Sequence, residues 1–169
     1  MRVAPRRAFL LFLALLGGCG FHPTRPLSDV CALLTLADAQ ALAPTVSTAA
    51  EAPHVDTADV WIRSCDFTAP DVPGPSIPTV VDLAVAGAFT RTGEQDLEKS
   101  MSSGPTSDVQ VSPVSGVGER AFYSTYRGEL AGLTAQQNEL VVGLSVYFGP
   151  TPTAEDLAPL LRKVLGRLP

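Results

Sequence analysis

Apolar residues fall along this chain in three patterns, and each predicts a different kind of element. The first is an unbroken block, Ala8 to Leu16, with no polar face. The second alternates. In ADVWIRSCDFT, Ala58 to Thr68, Trp61, Cys65 and Phe67 share one side with Arg63, while Val60 and Ile62 point to the other, which is the period of a strand. TVVDLAVAGA, Thr79 to Ala88, likewise places Val81, Leu83 and Val85 together. Ala121 to Arg127, Leu130 to Ala135 and Glu139 to Phe148 read as three more strands, with Gly128-Glu129 and Gln136-Gln137-Asn138 short enough for hairpin turns. The last of these, ELVVGLSVYF, is the most apolar and is expected near the centre of the sheet.

The third pattern recurs at helical spacing. In TAEDLAPLLRKVLGRL, Thr153 to Leu168, the residues Leu157, Leu160, Leu161, Val164, Leu165 and Leu168 line one face. Thr153 with Asp156 forms a capping-box pattern, and Pro159 should remove one internal hydrogen bond. Thr35 with Asp38 repeats the capping pattern, predicting a helix from Leu36 with Leu36, Ala37, Ala39, Ala41 and Leu42 as its apolar stripe and Pro44 as its stop. Gly93 to Ser102 is a weaker helix anchored by Leu97 and Met101. Gly20 to Ser28, Thr45 to Thr57, Pro70 to Pro78 and Ser103 to Pro113 read as tether or loop. The expected fold is α+β, an antiparallel sheet of about five strands covered by helices, in the order α-β-β-α-β-β-β-α.

The block at the start changes this picture. It is shorter than the roughly 20 apolar residues of a membrane span. Arg2, Arg6 and Arg7 precede it and Gly17-Gly18 follow it, which is the layout of a secretory signal. The ending Leu16-Gly17-Gly18-Cys19 resembles the lipobox of bacterial lipoproteins. That resemblance implies cleavage between Gly18 and Cys19, and a diacylglyceryl group with fatty acyl chains such as palmitate on the Cys19 thiol. Residues 1–18 are then the signal, 19–28 a tether, and 29–169 a single domain. The tether's Pro23 and Pro26 should keep it extended, holding the domain just off the membrane.

Composition agrees with a packed globule: 46% of residues are hydrophobic and 17% charged. Without the signal's three arginines, nine basic residues face seventeen acidic ones, a net charge of −8. Such a surface suits neither nucleic acid nor anionic headgroups, so lipid on Cys19 would do the tethering to the membrane. With Cys19 lipidated, Cys31 and Cys65 remain as a pair, expected to be a disulfide in an oxidising compartment. Closing that loop should stabilise the fold by roughly 3–4 kcal/mol. The zinc alternative lacks ligand spacing, and no metal or cofactor is expected.

Candidate catalytic chemistry is sparse. His54 stands near Asp56 in a loop, but no nucleophile motif such as GxSxG accompanies it. Gly116-x-Gly118 lacks both the third glycine and a Walker lysine, and predicts a tight turn into a strand. Glu94, Asp96 and Glu98 lack the spacing of a calcium loop. The expectation is a non-enzymatic binding or accessory domain with an envelope protein or polymer partner. An envelope-acting hydrolase is the alternative, through His54 or a pair of carboxylates.

Several landmarks together resemble a family of envelope lipoproteins of unknown function common in actinobacteria. They are Cys19, the segment Asp29-Val30-Cys31-Ala32-Leu33-Leu34-Thr35, Cys65 in a strand with aromatic neighbours, Val117-Gly118-Glu119-Arg120-Ala121-Phe122, and the amphipathic C-terminal helix. The resemblance implies a structural disulfide between the two matching cysteines, a site facing the periplasm or exterior, and no catalytic residues.

Overall fold

Alternating burial along residues 60–68 makes one strand the attachment point for the N-terminal half of the chain. The computed structural model describes residues 21–70, 80–102, 104–147 and 151–169. A 3-10 turn at Cys31–Leu33 leads into α1 (Leu36–Leu42). Four strands follow: β1 (Thr48–Glu51), β2 (Val55–Asp56), β3 (Val60–Thr68) and β4 (Val80–Ala88). Then come α2 (Arg91–Met101), β5 (Val109–Val114), β6 (Arg120–Tyr126), β7 (Leu130–Gln137), β8 (Leu140–Tyr147) and α3 (Ala154–Leu165). All described strand pairs are antiparallel, in the order β1-β3-β4-β8-β7-β6-β5, with β2 pairing β3 beside β1. The apolar β8 is central, as its sequence predicts.

The mixed α+β class and the antiparallel sheet match expectation, but the strand count does not. Among the described residues the sheet has eight strands rather than about five. The three additions, β1, β2 and β5, lie at the edges. Every residue of β1 and β2 is exposed, so no alternation marks them. β5 contains Pro113, which lacks a backbone donor and is tolerated at a sheet edge. β1 and β2 are held by their backbone ladders and by polar side-chain contacts such as Thr48 with Thr68 and Asp56 with Arg63, of which a hydrophobic pattern carries no trace.

One face of the sheet carries the core. Trp61, Cys65, Phe67, Leu83, Leu133 and Leu144 are fully buried there, beneath the N-terminal segments and α3. Each large side chain so buried contributes roughly 1.5–3 kcal/mol. α3 presents Leu157, Leu161, Val164 and Leu165 to this core, with Leu160 and Leu168 half-buried at its margin. Pro159 faces solvent. The stripe of α1 differs from expectation: Ala37 and Ala41 are exposed, and burial runs through Ala39 to Ala43 and Val46. Positions 36, 39, 43 and 46 share a helical face and its continuation, whereas 37 and 41 turn away. Both capping boxes form, at Thr35 with Asp38 and at Thr153 with Asp156.

Three connections tie the N-terminal segments down. Cys31 and Cys65 form a disulfide with 5.1 Å between their α-carbons, joining the 3-10 turn to the middle of β3. Lys163 of α3 donates to Asp38 of α1 at 2.7 Å, and Arg167 donates to the Leu33 carbonyl at 2.8 Å. The segment expected to be a tether is also in contact with the domain. Phe21, Thr24 and Leu27 are half-buried and Val30 is buried, while the two residues between each pair are exposed. This three-residue period, with prolines at 23 and 26, is that of a polyproline II ribbon laid on a surface. Residues 1–18 and Cys19 lie outside the described residues, and among those described no helix is long and apolar enough to cross a membrane.

Candidate functional site

The second face of the sheet is where the fold leaves chemistry accessible. Strand pairing aligns Asp66, Asp82, Ser145, Gly132, Ser124 and Val111 in one row from β3 to β5. The adjacent row is Ser64, Ala84, Gly143, Thr134, Phe122 and Pro113. Small side chains and two glycines leave this floor low. A Cβ on Gly132 would come 3.0 Å from Ser145 Oγ, and one on Gly143 would lie 3.7 Å from Thr134 Oγ1. α2 packs over β4 on this face, with Met101 buried beneath its last turn. Between that turn and the β5–β6 hairpin lies a depression of about 340 Å³. Met101, Val109, Val111 and Phe122 make it apolar, and Ser100, Thr106, Ser124 and Thr134 add hydroxyls.

Charge sits at the other end of the polar row. Asp66 and Asp82 face each other directly across β3 and β4. Burial, and then the neighbouring Asp66 charge, push the Asp82 carboxyl up to about 6. Its Oδ1 is shielded from solvent and has no hydrogen-bond partner among the described residues. Burial followed by the Asp82 charge also raises the Tyr147 hydroxyl. Ionisation of Asp82 is therefore resisted on this patch of sheet, an arrangement that a cation or a strong donor would relieve. At the opposite corner Arg120 Nη2 donates to Gln136 Oε1 at 3.0 Å, with Glu98 of α2 4.0 Å away.

The residues singled out in the sequence are distributed otherwise. Gly18 and Cys19 lie outside the described residues. Cys31 and Cys65 are joined, as expected. His54 is exposed between β1 and β2, with Nε2 3.8 Å from Glu51. Asp56 is taken up instead by Arg63, whose guanidinium donates to both carboxylate oxygens at 2.7 and 3.2 Å and approaches the Trp61 ring. Gly116 and Gly118 both adopt positive φ in a tight turn leading into β6, and a Cβ on Gly118 would come 2.5 Å from the Gln136 carbonyl. No three His, Cys, Asp or Glu side chains converge as a metal site among the described residues. The Asp66–Asp82 pairing was missed. The parity of each strand could be read, but the register that opposes the two carboxyls could not.

No protein-family model and no curated protein matches the chain. Among solved structures, it is similar to the extracellular domain of PknH from Mycobacterium tuberculosis, with a TM-score of 0.50 and 11% identity. The alignment covers 85% of this chain and 97% of that domain. At that identity the likeness is one of fold.

Proposed function

We propose that this chain is an exported, lipid-anchored accessory domain of the cell envelope that binds a partner non-catalytically on its open sheet face. The observation that carries the reading is the lipobox Leu16-Gly17-Gly18-Cys19 behind a basic head and an apolar block. The Cys31–Cys65 disulfide supports it twice. A structural disulfide belongs to an oxidising compartment, and this one leaves Cys19 as the unpaired member of three cysteines. The fold shared with a domain described as extracellular agrees with that placement. On this reading two or more acyl chains supply a stable anchor without a transmembrane helix. The open face, with an apolar and hydroxyl-lined depression at one end and paired carboxyls at the other, is the surface left for recognition.

The test is mass spectrometry of the mature protein with membrane fractionation of Cys19→Ala. The expected result is an N-terminal Cys19 carrying diacylglyceryl mass, and a variant that leaves the membrane fraction. A Cys19→Ala protein that stays equally membrane-bound would overturn the anchor.

A further inference from the structure

We infer that residues 21–30 are a strap, not a free tether, and that they hold the domain against the bilayer in one orientation, with the start of β3 and the end of β4 facing the lipid. The inference rests on the lipid anchor at Cys19 proposed above. Its structural basis is Thr24. The Thr24 amide donates to the Ala88 carbonyl at 2.9 Å, and its hydroxyl donates to the same carbonyl at 3.1 Å. That hydroxyl also accepts from Trp61 Nε1 at 3.0 Å, so one side chain bridges the end of β4 and the indole that opens β3. The neighbouring position is shaped for this contact: a Cβ on Gly87 would lie 2.2 Å from Thr24 Oγ1 and 2.5 Å from the Trp61 ring. Leu27 and Val30 then continue along the core.

Five residue steps separate Cys19 from Thr24. A fully extended chain covers about 18 Å in that number, so the latch lies within that distance of a lipidated Cys19. Were the strap loose, the leash would run on to Cys31 and more than double. The mature chain's net charge of −8 would then drive the domain outward from an anionic surface. β3 is nine residues long, so the turn at Arg127–Glu129, at the opposite end of the sheet, stands about 30 Å beyond the latch. The strap therefore assigns the two ends of the sheet different surroundings, one against lipid and one toward the partner.

Trp61 is the only tryptophan in the chain and sits at the latch, so its fluorescence reports on the strap without a label. The full lipidated protein is placed in phosphatidylglycerol-containing vesicles carrying a dansyl headgroup acceptor. Energy transfer from Trp61 is then compared with that of Thr24→Pro, which removes the amide and hydroxyl donors but keeps the chain extended. A cooperative melt and the absence of free thiol from Cys31 and Cys65 establish that the variant is folded. A six-residue Gly-Ser insertion after Gly20, which leaves every strap contact intact, is the second variant. The expected result is strong transfer in the native protein, at least twofold weaker in both variants. Equal transfer in the native protein and a folded Thr24→Pro variant would overturn the strap alone. An unmodified Cys19 in the mass spectrum would overturn the anchor, and the orientation with it.

Discussion

Asp82 is a carboxyl group placed between two β-strands where its charge is resisted, first by burial and then by Asp66 across the ladder. Its pKa of about 6 in the folded protein lies above the ordinary value of 3.8. Between those values the native state binds a proton that the unfolded chain has released, so stability falls as pH rises from 4 to 6 and stays lower above 6. Asp82→Asn should therefore be more stable than the native protein at pH 7.5, by about 1–3 kcal/mol, with no advantage at pH 4. Urea titrations at the two pH values check this; a gain of equal size at both would mean the carboxyl's charge is not the cause. The site was half legible. Asp66 and Asp82 each stand on the strand face opposite the core residues, which alternation alone shows, but their opposition depends on the β3–β4 register, which alternation does not give. His54 and Asp56 show the converse, since the two stand close in sequence but the hydrogen bonds of Asp56 go to Arg63.

Among the elements, α3 was the most legible, because its cap and its apolar stripe agree. The Thr153 side chain accepts from the Asp156 amide, and the Asp156 carboxylate accepts from the Thr153 amide at 2.8 Å. Thr153→Ala should cost about 1 kcal/mol, read as a lowered melting temperature with unchanged helix content at 20 °C. The same helix start is anchored from the sheet, where the Tyr123 hydroxyl donates to the Pro152 carbonyl at 2.7 Å. The strands β3, β4, β7 and β8 were legible because each buries one face, and β6, where only Ala121 is buried, because short turns bound it. β1 and β2 were not, because strands whose every side chain is exposed bury no apolar face and so leave no alternation to read. The strap falls between these cases. Its prolines suggested extension, but its three-residue period of burial rests on only four inward positions.

At the scale of the molecule, the helices α1 and α3 and the core lie on one side of the sheet, and α2 with the open rows on the other. The class was readable from the order of patterns, while the accessible face was fixed by where short edge strands and α2 fall. The disulfide has a mechanical consequence for the domain when it is pulled by its N-terminus, as the proposed anchor would do. Tension applied between the N-terminus and the C-terminal helix first meets the Thr24 contacts with Ala88 and Trp61; once these yield it passes through Val30 to Cys31 and crosses the disulfide to Cys65 within β3. Residues 32–64, with α1, β1 and β2, lie outside the covalent path that bears load. Pulled from its ends by force spectroscopy, the oxidised protein should extend about 120 Å less than the reduced one, the length of the 34 residue steps between Cys31 and Cys65. Equal extensions would show that the crosslink does not carry the load. A pull on this domain is thus delivered past its least buried strands and into the sheet's interior.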